Sequence, residues 1–268
     1  MEKILKDKYC FAAALIALIS TSLISPIAKA NMLVYPMAAS IADGEPAAEL
    51  RVYSKSDRTQ YVKVVAKRVI SPATDEEREE ASMNSGDEAI VISPAKFALP
   101  AGGSRLVRVI SLGTPQNELL YRVYLEPASS PTDDDAIGSD GVAGKVNFSI
   151  VWAPLIRVLP KTPAPDFEVS NGILTNTGNV RIGLIDAGEC QSETEESSCK
   201  WTTFERSVYP GEQFSMGQMN SAPYVRIRYR VEGMTDEQQR AVRTFSVNTI
   251  DAPSANKETQ PGDTNHKD

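Results

Sequence analysis

The chain has 268 residues, 41% of them hydrophobic, with 17 Pro, 16 Gly, 3 Cys and a single His, and carries a formal charge of −7. That length and apolar content suffice for one large or two ordinary packed cores. The lone His266 rules out imidazole triads and multi-His metal sites, and a pI near 5.0 argues against a nucleic-acid binder, whose affinity comes from a basic footprint. Neither common Gly-rich phosphate loop occurs, so no cofactor is expected.

Residues 1–30 have the order of a secretory signal peptide. Lys3, Lys6 and Lys8 precede an apolar stretch over 11–19, Pro26 follows, and Ala28-Lys29-Ala30 offers the small residues of a cleavage site. Ser20, Thr21, Ser22 and Ser25 interrupt the run before it reaches the ~20 apolar residues of a membrane anchor. Cleavage after Ala30 removes four Lys, one Glu and one Asp, leaving 24 basic against 33 acidic residues and a charge of −9. It also removes Cys10. Cys190 and Cys199 remain, and in an exported chain they read as one local disulfide, since two thiols without His make a poor metal site.

The body alternates apolar and polar residues with no long helical period. Strands are expected over 32–37, 49–54, 60–70, 89–93, 104–111, 119–126 and 145–158, which is the pattern of a β-sandwich. The charged stretch 74–80 is expected to be a solvated loop with at most one helical turn. Pro160, Pro163 and Pro165 then form a stiff connector and a natural boundary between a first domain over 31–159 and a second over 160–250. Past it, strands are expected over 167–170, 173–176, 180–186, 200–207, 224–231 and 241–247, with a turn at Asn176-Thr177-Gly178-Asn179. Arg226, Arg228 and Arg230 alternate with Val225, Ile227, Tyr229 and Val231, which puts the arginines on one face, either solvated or a docking strip. From 251 to 268 large apolar residues vanish and disorder is expected. The 127–144 segment, with Asp133, Asp134 and Asp135, is long for a hairpin connection, a size that marks a functional or mobile loop or a tolerated insertion.

Within 145–152, Val146, Phe148, Ile150 and Trp152 share one face of a strand. Alternation alone leaves two placements open. The four side chains either fill the domain's own core or project from a sheet edge into another protein's groove.

The stretches 31–36, 51–56, 93–109, 120–127, 153–157 and 176–181 together resemble the periplasmic chaperones of the chaperone–usher pathway that assemble pili and fimbriae. Asn31-Met32-Leu33-Val34-Tyr35-Pro36 looks like their opening strand, and the stretch from Ser93 through Pro100-Ala101-Gly102-Gly103 to Arg105 and Val109 resembles their most recognisable motif. Leu120-Tyr121-Arg122-Val123-Tyr124 resembles the strand that follows. Arg51-Val52-Tyr53, Ala153-Pro154-Leu155-Ile156-Arg157 and Asn176-Thr177-Gly178-Asn179 look closest to the alternate, α-clade branch. The similarity spans nearly all of 31–250.

The resemblance implies an all-β protein of two immunoglobulin-like β-sandwich domains in a boomerang arrangement. It implies a non-enzymatic periplasmic chaperone that binds pilin subunits one to one by donor-strand complementation and passes them to an outer-membrane usher. The implied donor residues are Val146, Phe148, Ile150 and Trp152, whose burial would contribute roughly 6–12 kcal/mol gross before ordering costs. The family's Arg and Lys for the subunit's C-terminal carboxylate fall on Met32 and Leu155, neither of which binds one. Arg157 is the expected substitute, on the same strand face as Leu155, with Arg122 a second candidate and the amino group of Asn31 a third. An exported structural or adhesive sandwich module is the alternative, and it would self-associate.

Overall fold

The computed structural model describes residues 31–82, 85–128, 150–231 and 241–246. The expected signal peptide, most of the 127–144 segment, the donor positions Val146 and Phe148, and the 251–268 tail lie outside the described residues.

The first half forms two facing sheets. The expected opening strand divides at Pro36, which has no N–H to donate, into β1 (Met32–Tyr35) and β2 (Ala38–Ile41). These join different sheets. β1 pairs antiparallel with β3 (Ala48–Ser54), which pairs with β8 (Ser104–Ser111) and then β6 (Ile90–Ser93). β2 runs parallel to β10 (Leu155–Val158), followed by β9 (Leu119–Ala128), β4 (Gln60–Ile70) and β5 (Arg78–Ala81), with β7 (Lys96–Leu99) also on β4. The strict alternation in β3, buried at Leu50 and Val52 and exposed at Glu49 and Arg51, turns one face of each strand inward. Val107, Val109, Tyr121, Val123, Leu125 and Ile156 close the core from the other strands. The Tyr121 hydroxyl donates to the Glu88 carbonyl, and burial pushes its phenol up to about 12.

Two expectations are corrected here. Residues 78–81 are a strand rather than part of a loop, because Arg78, Glu79, Glu80 and Ala81 extend the β4 edge in register with Ile70 to Lys67. Residues 96–99 also form a strand, seated by buried Phe97 and Leu99.

The second half is a smaller sandwich. One sheet holds β11 (Phe167–Ser170), β12 (Ile173–Asn176) and β15 (Gln213–Ser215). The other holds β14 (Cys199–Val208), β13 (Ile182–Cys190), β16 (Tyr224–Val231) and β17 (Ala241–Ser246). Cys190 and Cys199 are register partners across β13 and β14 and are joined by the expected disulfide. Val225, Ile227 and Val231 are buried. Arg228 lies on the opposite face, where its guanidinium grips Asp186 at 2.5 and 2.6 Å and stacks over Trp201 at 3.8 Å.

The connector is held rather than free. Asn179 accepts the Ala164 N–H at 2.6 Å and donates to the Thr162 carbonyl at 3.0 Å. Gly178 is required beside it, since a Cβ there would lie 2.4 Å from the Asp166 nitrogen. Tyr209 of the second sandwich packs on Val69 and Leu120 of the first, with Leu155 against them.

Candidate functional site

The strand that enters β10 is bonded on one side only. Within β10, Leu155 to Val158 lie between β9 and β2, in register with Arg122 to Leu119 and Ala38 to Ile41. Upstream the same register continues along β9. Trp152 bridges Leu125, giving and taking a backbone hydrogen bond at 3.3 and 2.8 Å, and Pro154 accepts the Val123 N–H at 2.9 Å. On the other side the partner ends at Met37, whose carbonyl accepts the Leu155 N–H at 3.0 Å. One step earlier, at Pro36, the chain leaves for the other sheet. The backbone groups of Val151 and Ala153, which alternate away from β9, therefore have no backbone partner among the described residues. An unpaired edge of this kind is a template for a further strand.

Apolar side chains flank that edge. Ile150 is 54% exposed and Val151 46%, and Tyr35 and Met37, on the segment that leaves it, are exposed too. Trp152 is different. It is half-buried against the first core, and its indole nitrogen is sealed without a hydrogen-bond acceptor among the described residues. Trp152 thus takes the inward placement that alternation left open, and Ile150, two residues earlier, stands in solvent.

Both candidate anchors face the same side of the β10–β9 pair, since Arg122 is opposite Leu155 and Arg157 is opposite Leu120. Each already holds a carboxylate of this chain. Arg122 donates to Glu79 at 2.5 Å and to Glu77 at 3.1 Å. Glu79 also accepts from the Tyr124 hydroxyl at 2.6 Å and lies 3.2 Å from Lys67. Burial works to raise the Glu79 carboxyl, but the hydrogen bonds from Tyr124, Lys67 and Arg122 outweigh it and hold the group below its ordinary value. The Arg157 side chain is 13% exposed, with its Nε 3.7 Å from Glu118 Oε1, and it also hydrogen-bonds the Tyr209 side chain at the junction of the sandwiches.

Glu118 and Tyr209 were not legible as partners of Arg157. Glu118 follows Pro115-Gln116-Asn117, which reads as a solvated loop, and Tyr209 sits in a Pro-Gly turn. Glu77 and Glu79 were hidden in an acidic run whose strand character depends on pairing with β4.

No family model matches the chain. Over 218 residues it is 33% identical to a CFA/I fimbrial subunit protein of Escherichia coli, covering 79% of this chain and 90% of that protein. Among solved structures it superposes on the class 5 fimbriae chaperone CfaA with a TM-score of 0.69 and 31% identity, covering 83% of this chain and all of that one. A chain from a chaperone–tip adhesin complex of CFA/I fimbriae biogenesis gives a TM-score of 0.67 at 31% identity, over 80% of this chain and 98% of that one.

Proposed function

The chain belongs to the fimbrial chaperones, and on that premise we propose that it is a periplasmic chaperone that keeps a fimbrial subunit folded by lending it a strand and delivers it to an outer-membrane usher. The observation that carries the reading is the edge at 150–153, bonded to β9 through Trp152 on one side and without a backbone partner among the described residues on the other. A subunit short of one strand has the complementary defect, an apolar groove beside an unpaired edge. Main-chain hydrogen bonds from the lent strand satisfy that edge, and alternate side chains fill the groove.

In this reading Val146, Phe148 and Ile150 enter the groove, and Trp152 seats the base of the strand on the chaperone's own core. Residues 31–159 form the lending domain and 160–250 the second domain. Arg122, whose side chain is 29% exposed, is the better-placed carboxylate contact, with Arg157 more deeply set. We assign no catalytic role. Glu77, Glu79 and Glu118, the carboxylates held by Arg122 and Arg157, are engaged in ion pairs, which suits a binding surface rather than proton transfer.

The test is the native mass of the protein co-expressed with candidate fimbrial subunits. A one-to-one heterodimer is expected. A homo-oligomer that ignores every subunit would overturn the reading in favour of a self-assembling structural module.

A further inference from the structure

Two carboxylates divide the Arg122 guanidinium between them, Nη1 donating to Glu79 at 2.5 Å and Nη2 to Glu77 at 3.1 Å. They are not held alike. Glu79, within β5, is also held by the Tyr124 hydroxyl and Lys67, and its side chain is 17% exposed. Glu77 stands in the turn before β5, where its other oxygen accepts the Ala73 N–H at 2.9 Å, and its side chain is 33% exposed.

That turn is strained. Ser71 and Ala73 take left-handed φ angles of 47° and 62°, which residues other than glycine keep only where their surroundings hold them. The Glu77 carboxylate on the Ala73 N–H is part of that hold, so releasing Glu77 also lets the turn relax. Arg122 is the register partner of Leu155, two residues past Ala153. A strand added along 150–153 that stops where β2 begins ends two strand spacings from β9, roughly 10 Å, a gap that an Arg side chain spans in large part.

On the reading of Arg122 as the subunit's carboxylate contact, on which this rests, we infer that Glu77 is an internal stand-in for the subunit's terminal carboxylate. It occupies the Nη2 arm of Arg122 in the free chain and gives that arm up when a subunit binds, while Glu79 keeps the guanidinium aimed. The incoming group has the chemistry of the one it replaces, a singly charged planar carboxylate on a guanidinium fork. No charge is stranded by the exchange, because Glu77 is released from an exposed turn into water. The arm must be vacated first, so the apparent affinity falls with the fraction of chains in which it is free.

A limiting amount of unfolded fimbrial subunit is refolded with equal amounts of isotope-labelled wild type and unlabelled Glu77→Gln, and the two complexes are counted by native mass spectrometry. Glu77→Gln is expected to capture about threefold more subunit, the scale of one partly exposed ion pair. The gain is expected to vanish in an Arg122→Gln background, and for a subunit extended at its C-terminus by several Gly. Hydrogen exchange at the Ala73 amide of the wild type is expected to quicken in the complex, because its acceptor has left; this measurement decides should Arg122→Gln unfold. Capture by Arg122→Gln equal to that of wild type would overturn the Arg122 contact and the role of Glu77 together. Weaker capture by Arg122→Gln with no gain in Glu77→Gln, a gain that survives the extension, or exchange at Ala73 that is unchanged or slowed would overturn the role of Glu77 alone.

Discussion

The carboxylate of Glu118, at the start of the first sandwich's β9, accepts the backbone N–H of Arg181, at the start of the second sandwich's β13, at 2.7 Å. The Glu118 N–H goes to the Asn179 carbonyl at 2.8 Å, so the loop before β9 is stitched to the turn before β13 from both directions. Arg157 of β10 lies against the same carboxylate, and Tyr209, whose phenol burial pushes above its ordinary value, covers the cluster. The strand that enters β10 is therefore fixed at its downstream end and open at its upstream end. Such a strand is held in place and still free to be shared.

Replacing Glu118 by Ala removes the charge opposite a largely buried Arg157 and the acceptor of the Arg181 N–H. Breaking a buried pair on one side costs about 3 kcal/mol. In a chain of this size that lowers the melting temperature by roughly 6–12 °C. Glu118→Gln retains the acceptor and is expected to lose less. Thermal unfolding followed by circular dichroism ranks the two, and equal melting temperatures for wild type and Glu118→Ala would contradict the junction described.

Ile150 and Trp152 separate binding from folding. Ile150 is exposed, so Ile150→Asp is expected to leave the melting temperature of the free protein within about 2 °C while the complex with a fimbrial subunit disappears from native mass spectra. Trp152 packs on the core, so Trp152→Ala is expected to cost about 2 kcal/mol of stability in the free protein. Destabilisation by Ile150→Asp on the scale of the Trp152 change would place Ile150 in the chain's own core instead.

Much of the fold was legible because its signal is local. β3, β4, β8 and β16 each alternate strictly enough that one face reads as inward from sequence alone. β5, β7 and β15 were not legible. They are three or four residues long, too short for alternation to register, and they exist because a neighbouring edge accepts them. The division of 32–37 is of the same kind, since a proline shows where pairing stops but not that the next strand joins the opposite sheet. At the candidate site, the spacing of Ile150 and Trp152 was visible, yet their different burial was not, because it depends on Trp152 packing against core residues distant in sequence. For Arg157, spacing identified a charged residue on the right face. Its partners Glu118 and Tyr209 come from 39 residues earlier and 52 later, contacts that no local pattern contains.

The disulfide closes a hairpin that strand pairing has already brought together. Cross-linking across so short a loop restricts the unfolded chain modestly, so Cys190→Ser/Cys199→Ser is expected to cost about 2.5 kcal/mol. The loss should match that produced by reductant on the wild type, measured by denaturant unfolding. Because the bond lies in the second sandwich, subunit binding through the lent strand is expected to persist at temperatures where the variant remains folded.

Glu79 gives the molecule an acid-sensitive contact on β9, the strand to which Trp152 is bonded. Its carboxyl is held below the ordinary value of 4.5, with burial opposing and the Tyr124, Lys67 and Arg122 hydrogen bonds prevailing. A carboxylate whose pKa is lower folded than unfolded contributes stability that is present above its unfolded value and fades as pH falls through the folded one. Glu79→Gln removes the charge, so the wild type should exceed the variant by about 1–2 kcal/mol at pH 7. The gap should close progressively below pH 4.5. Comparing the two proteins at each pH cancels the titration of all other carboxylates. Urea unfolding at pH 7, 5 and 3 makes the comparison. A gap that stays constant across that range would mean that Glu79 acts by shape alone and that Arg122 does not depend on its charge.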